Sequence, residues 1–121
     1  MFENYDELMQ KIGTSIIQMS EFINDWQKII INIERTSDKS IEMDVDYIDN
    51  NRDIKYFNDY NNFFSETSDI FHALYQTMTA DTDKHKWNRA KVTLANDIKL
   101  NIKFEWDQEL ADELERLSKE D

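Results

Sequence analysis

The chain has 121 residues, no Cys, and 14 Lys and Arg against 26 Asp and Glu, for a formal net charge of −12. That length fits a single domain over residues 1–121, and the lack of Cys excludes a disulfide framework and thiolate chemistry. The acid excess disfavours binding to nucleic-acid phosphates and steers basic partners in.

Hydrophobic residues make up 40% and aromatics 12% of the chain, too rich in large apolar side chains for intrinsic disorder. The opening "MFENYDELMQK" is acidic where a secretory signal needs basic residues, and no apolar run approaches the ~18 residues of a membrane span. A cytoplasmic protein with no membrane contact is expected.

Tyr5, Leu8, Met9, Ile12, Ile16, Met19 and Ile23 recur at spacings of three and four, which predicts a first helix over about residues 3 to 24. From Trp26 the period changes to two, with Ile29, Ile31 and Ile33 on one side and Ile30, Asn32 and Glu34 on the other. That is a β-branched strand ended by "TSDKS". "IEMDVDY" (41–47) is its hairpin partner, and alternation sets Ile41, Met43, Val45 and Tyr47 against Glu42, Asp44 and Asp46.

"IDNNRD" is turn chemistry and "DIKYF" a short third strand. A second helix follows, with Asn58 or Asp59 as N-cap and Tyr60, Phe63, Phe64, Thr67, Ile70, Phe71, Leu74, Tyr75 and Met78 on its buried face. "TADTDKHK" is a polar loop. Two more strands joined at "AND" place Val92 and Leu94, then Ile98, Leu100, Ile102, Phe104 and Trp106, on one side. Asp107 caps a last helix whose inner stripe is Leu110, Ala111, Leu114 and Leu117. The order α-β-β-β-α-β-β-α predicts an α+β fold, an antiparallel sheet of about five strands with helices on one face.

Catalytic signals are weak. The single Gly lies inside the first helix, so there is no nucleophile elbow and no phosphate-cradling loop. His72 and His85 have no second His at ligand spacing, and "DVDYIDNNRD" lacks the Gly and the Glu that a calcium loop requires. No cofactor and no metal are expected. One enzymatic alternative is a Mg²⁺-dependent nuclease using Asp44, Asp53 and Lys55.

The run Glu42, Asp44, Asp46 raises a sharper question, because like charges along one strand face repel unless cations on a neighbouring strand neutralise them. Arg89, Lys91, Lys99 and Lys103 could supply those cations. Left free, the acids suit a basic protein partner, with carboxylates standing in for phosphates, and Tyr47, Tyr56 and Tyr60 nearby could anchor it.

Several landmarks recur in one known family. A helix beginning near Tyr5, Trp26 leading a strand, a strand ending in Tyr47, a Phe-rich helix, Trp87 leading a hairpin, and "FEWD" at 104–107 together resemble the YezG-like bacterial immunity proteins over about residues 5–110. "INDW" stands where relatives often carry Pro-Glu before the Trp, and the chain stops where many continue with another aromatic segment. The resemblance implies a non-enzymatic antitoxin that binds and neutralises the nuclease domain of a secreted polymorphic toxin. It carries over no contact residue. The acids themselves suggest a toxin-binding surface of Glu42, Asp44, Asp46, Asp49 and Asp53, and an acidic adaptor for some other basic protein would present the same face.

Overall fold

The computed structural model describes residues 5–37, 40–57, 63–80 and 82–119. Their elements run α1 (Tyr5–Ser20), β1 (Trp26–Ser37), β2 (Ser40–Asp49), β3 (Ile54–Tyr56), α2 (Phe63–Thr79), a 3-10 turn (Asp83–His85), β4 (Arg89–Ala95), β5 (Leu100–Glu105) and α3 (Gln108–Ser118). This is the expected α+β order. The strands form one antiparallel sheet in the order β3-β2-β1-β4-β5, so the isoleucine-rich β1 is its centre.

Pleating divides β1 as the alternation requires: Ile29, Ile31 and Ile33 are buried, while Asn32 is exposed and Ile30 and Glu34 half-buried. The buried side continues through Val45, Ala90, Val92 and Leu94, and meets Leu8, Ile12, Ile16 and Met19 of α1 and Phe71 and Leu74 of α2 in one core. A Cβ added at Gly13 would lie 3.6 Å from Leu100 Cδ2, so α1 runs close over the β5 side of the sheet. Between α1 and α2, Ser15 Oγ and the fully buried Thr67 Oγ1 share a hydrogen bond of 3.1 Å. Among the described residues no helix is long and apolar enough to cross a membrane.

Several boundaries differ from expectation, each for a local reason. Helix α1 ends at Ser20, whose hydroxyl turns back to donate to the Ile17 carbonyl at 2.6 Å and compete with the helical ladder. Ile23 stays buried, but Tyr5 is 42% exposed at the other end. The expected N-cap of α2 at Asn58 or Asp59, and Tyr60 on its stripe, lie outside the described residues. Between β2 and β3 it is Arg52, rather than a neighbouring Asn or Asp, that takes the left-handed backbone, at φ 68°.

Two sequence expectations fail at the edges. In α3 only Leu110 of the predicted stripe is buried. Ala111 and Leu114 are half-buried and Leu117 is 48% exposed, so the helix is anchored by its first turn. Ile98 belongs to the turn and not to β5. The Ile98 N–H donates to the Ala95 carbonyl at 2.9 Å and the Ala95 N–H to the Lys99 carbonyl at 3.0 Å, which closes a tight hairpin and forces Ile98 to φ 65°.

A β-branched residue at positive φ is strained by roughly 1–2 kcal/mol, and half of Ile98 faces solvent, so little packing offsets it. Ile98→Gly should therefore raise stability by about 1 kcal/mol, read as a higher urea midpoint at unchanged slope. An unchanged or lower midpoint would mean that the Ile98 side chain makes contacts worth at least that strain.

Candidate functional site

Helices α1 and α2 cover one face of the sheet, and among the described residues the other is left open along β2, with the start of α3 held beside Arg89 at its β4 side. On the open face the strand pairing sets side chains in rows. Glu42 of β2 lies in line with Glu34, Arg89 and Glu105, and Asp44 with Asn32, Lys91 and Lys103. Asp46 sits between Ile30 on β1 and Tyr56 on β3. Alternate residues on a strand are roughly 6.7 Å apart, so the three carboxylates form a regular file.

Glu42 and Asp44 are exposed and Asp46 is half-buried. The ion pairs among the described residues are Lys55–Asp49, Arg89–Glu34, Arg89–Asp107, Lys99–Asp97 and Lys119–Glu115, together with others that do not engage these three acids. Neutralisation from β4 and β5 fails because β1 stands between. Two inter-strand spacings put the β4 cations roughly 9–10 Å away. Arg89 is engaged by Glu34 and Asp107, and Lys99 lies in the hairpin turn beside Asp97. A shallow hollow of about 560 Å³ opens on this face, lined by Asn32, Glu34, Glu42, Asp44 and Arg89 among others.

Asp49 must be removed from the predicted surface. The pleat that turns Glu42, Asp44 and Asp46 outward turns Asp49 inward, and it is only 5% exposed. Its Oδ1 accepts from the Asn51 N–H at 2.8 Å and the Asp53 N–H at 3.0 Å, and its Oδ2 meets Lys55 Nζ at 3.2 Å. The Asp53 N–H, helped by Lys55 and Asn51 and opposed by burial, holds the Asp49 carboxyl below the ordinary carboxylate range; the bond from Lys55 to Asp49 in turn raises Lys55. Asp49 thus organises the β2–β3 turn and is not available for docking. Asp53 is exposed in that turn, away from the file on β2.

The trio Asp44, Asp53 and Lys55 is not brought together. Asp44 faces out, whereas Lys55 pairs with Tyr47, on the opposite face, and is held by Asp49. Among the described residues no three His, Asp or Glu side chains are grouped to hold a metal ion. His72 is half-buried on α2 and His85 is exposed.

Of the apolar flank of the acid file, sequence reasoning named Tyr56 and missed Ile48 and Ile54. Ile48 and Ile54 are paired across β2 and β3 on the open face, next to Asp46 and Tyr56. Ile54 is 68% exposed and Tyr56 78%, whereas Tyr47 packs against the core. A strand of three residues has too little alternation to reveal its own facing; only its register against Asp46 does so. A larger hollow, about 980 Å³, lies between the α1–β1 loop and β3, with Phe22 and Tyr56 on its walls. Its ionisable lining includes Asp49 and Lys55, which are already bonded to each other.

Compared with protein-family models and with curated proteins, the chain matches none.

Proposed function

We propose that this protein is an immunity protein, an antitoxin that binds and neutralises a cognate toxin, a basic nuclease domain, through the open face of its sheet. The observation that carries the reading is the file Glu42, Asp44 and Asp46, turned outward and engaged in no ion pair among the described residues. Uncompensated like charges on a strand cost stability, which a cationic partner surface would return on binding. The exposed Ile54 and Tyr56 beside Asp46 add an apolar anchor of the kind that concentrates binding energy within a charged rim. Likeness to the YezG-like immunity proteins in spaced aromatics supplies the toxin as the basic partner. Inhibition would be stoichiometric, with carboxylates occupying the groove that receives nucleic-acid phosphates.

The test takes a nuclease-toxin domain encoded beside this chain's gene. Equimolar protein should abolish its cleavage activity, and cleavage that continues unchanged in the presence of excess protein would overturn the reading. The variant Glu42→Gln, Asp44→Asn, Asp46→Asn should keep the fold, slow association by about tenfold or more at low salt and flatten its salt dependence, as stopped-flow or surface-binding kinetics would show. Unchanged association would take the file out of the interface.

A further inference from the structure

The open face carries both signs, and in the row of Asp44 they are segregated. With β1 as the midline, β2 presents Glu42, Asp44 and Asp46, while β4 and β5 present Lys91 and Lys103 in the row of Asp44 and Arg89 with Glu105 in the row of Glu42. Both lysines are exposed and neither takes part in an ion pair among the described residues. Two strand spacings separate Asp44 from Lys91, and neither forms an ion pair among the described residues.

We propose that two copies of this chain associate face to face through this surface, about a two-fold axis running along β1. Rotation about that axis exchanges left and right and keeps every row in place. Asp44 of each copy then stands over Lys91 of the other, and Glu42 stands over the Arg89 edge. Lys28, Ile30, Asn32 and Glu34 lie on the axis and meet their own counterparts; the Lys28 and Glu34 meetings oppose association, and Glu34 is already held by Arg89 of its own chain. A two-fold axis across the strands would instead stack β2 on β2, acid against acid, so the charge pattern selects one arrangement.

Sheets packed face to face stand about 10 Å apart, a gap that Asp and Lys side chains span together. Ile30 and Ile48 supply apolar contact near the axis, and the exposed Ile54 and Tyr56 are carried over the β5 side of the partner copy. The interface is small and polar, and each copy carries a charge of −12, so the dimer is weak and exchanges readily. The inference does not rest on the toxin reading. The two do share a face, so a basic partner would displace the second copy.

Sedimentation equilibrium of the full chain, up to about millimolar concentration, tests the proposal, with circular dichroism as the check on folding. The wild type should be a reversible monomer–dimer mixture. Asp44→Lys alone and Lys91→Asp alone each create two like-charge contacts per dimer and should weaken association about tenfold or more. Mixing these two variants should restore association as a heterodimer, because acid again faces base at both contacts, and the double variant should dimerise by itself. A wild type monomeric throughout, single variants that dimerise like the wild type, or a mixture that stays monomeric would each overturn the proposal. Docking of a basic toxin would stand unaffected by any of these results.

Discussion

Trp87→Ala should lower the stability of the fold by about 3–5 kcal/mol, enough to leave the chain largely unfolded at room temperature if its total lies at the low end for small domains. Trp87 is fully buried and closes the core where α2 meets the sheet. Its ring lies 6.1 Å from Phe71 and 5.5 Å from Tyr75, both edge to face, and 5.2 Å from Phe104 on β5. Alanine removes all three contacts and leaves a cavity that aromatic neighbours fixed on a helix and a strand cannot fill.

Trp87→Phe should cost much less, by a margin beyond what side-chain size explains. The Nε1 of Trp87 is buried with no hydrogen-bond partner among the described residues, so the native state carries a desolvated N–H that phenylalanine would remove. Urea denaturation of the two variants side by side checks this, read through near-ultraviolet circular dichroism and backbone signals. Comparable losses for Ala and Phe would mean that the indole N–H is satisfied in solution and that the site demands tryptophan.

The sequence disclosed most of this architecture because its two periods are clean. Ile29, Ile31 and Ile33 can only be an inward strand face, and α1 and α2 carry their stripes at helical spacing. The open acidic face was legible for the same reason, since alternation fixes the facing of Glu42, Asp44 and Asp46 once the partner residues are buried. Strand order was not legible. Whether Lys91 could neutralise Asp44 depends on β1 lying between β2 and β4, a long-range pairing that no local pattern encodes. Asp49 and Ile98 were misjudged where alternation meets a turn: one carboxylate folds inward to bind two backbone N–H groups, and one isoleucine is bent to positive φ by the hairpin's closure. The weak packing of α3 was equally invisible, because an amphipathic stripe records what a helix could bury and not what lies opposite it.

Asn88, which carried no sequence signal, should be the residue whose loss frees α3. It is 3% exposed, and its side chain clamps the start of the helix: Nδ2 donates to the Asp107 carbonyl at 2.8 Å and Oδ1 accepts the Asp107 N–H at 2.7 Å. Its main chain is committed as well, accepting from the Arg35 N–H at 2.8 Å and donating to the Glu105 carbonyl at 3.1 Å. Asp107 thereby reaches two further partners, accepting from the Leu110 N–H at 3.1 Å as N-cap and from Arg89 Nε at 2.9 Å. The Leu110 N–H first, and Arg89 second, hold the Asp107 carboxyl below its usual range, while Asp107 chiefly holds Arg89 further in its charged form. Since Leu110 is the one buried side chain of α3, its position depends on this junction more than on packing along its length. Asn88→Ala strips both side-chain bonds from a half-buried peptide and should cost about 2 kcal/mol. The loss should be local: amide hydrogens from Leu110 to Leu117 should exchange as if unfolded while those of β1 and β4 stay protected. If β1 and β4 lose protection in step with α3, the helix is part of one cooperative unit with the sheet and the clamp is not its separate anchor.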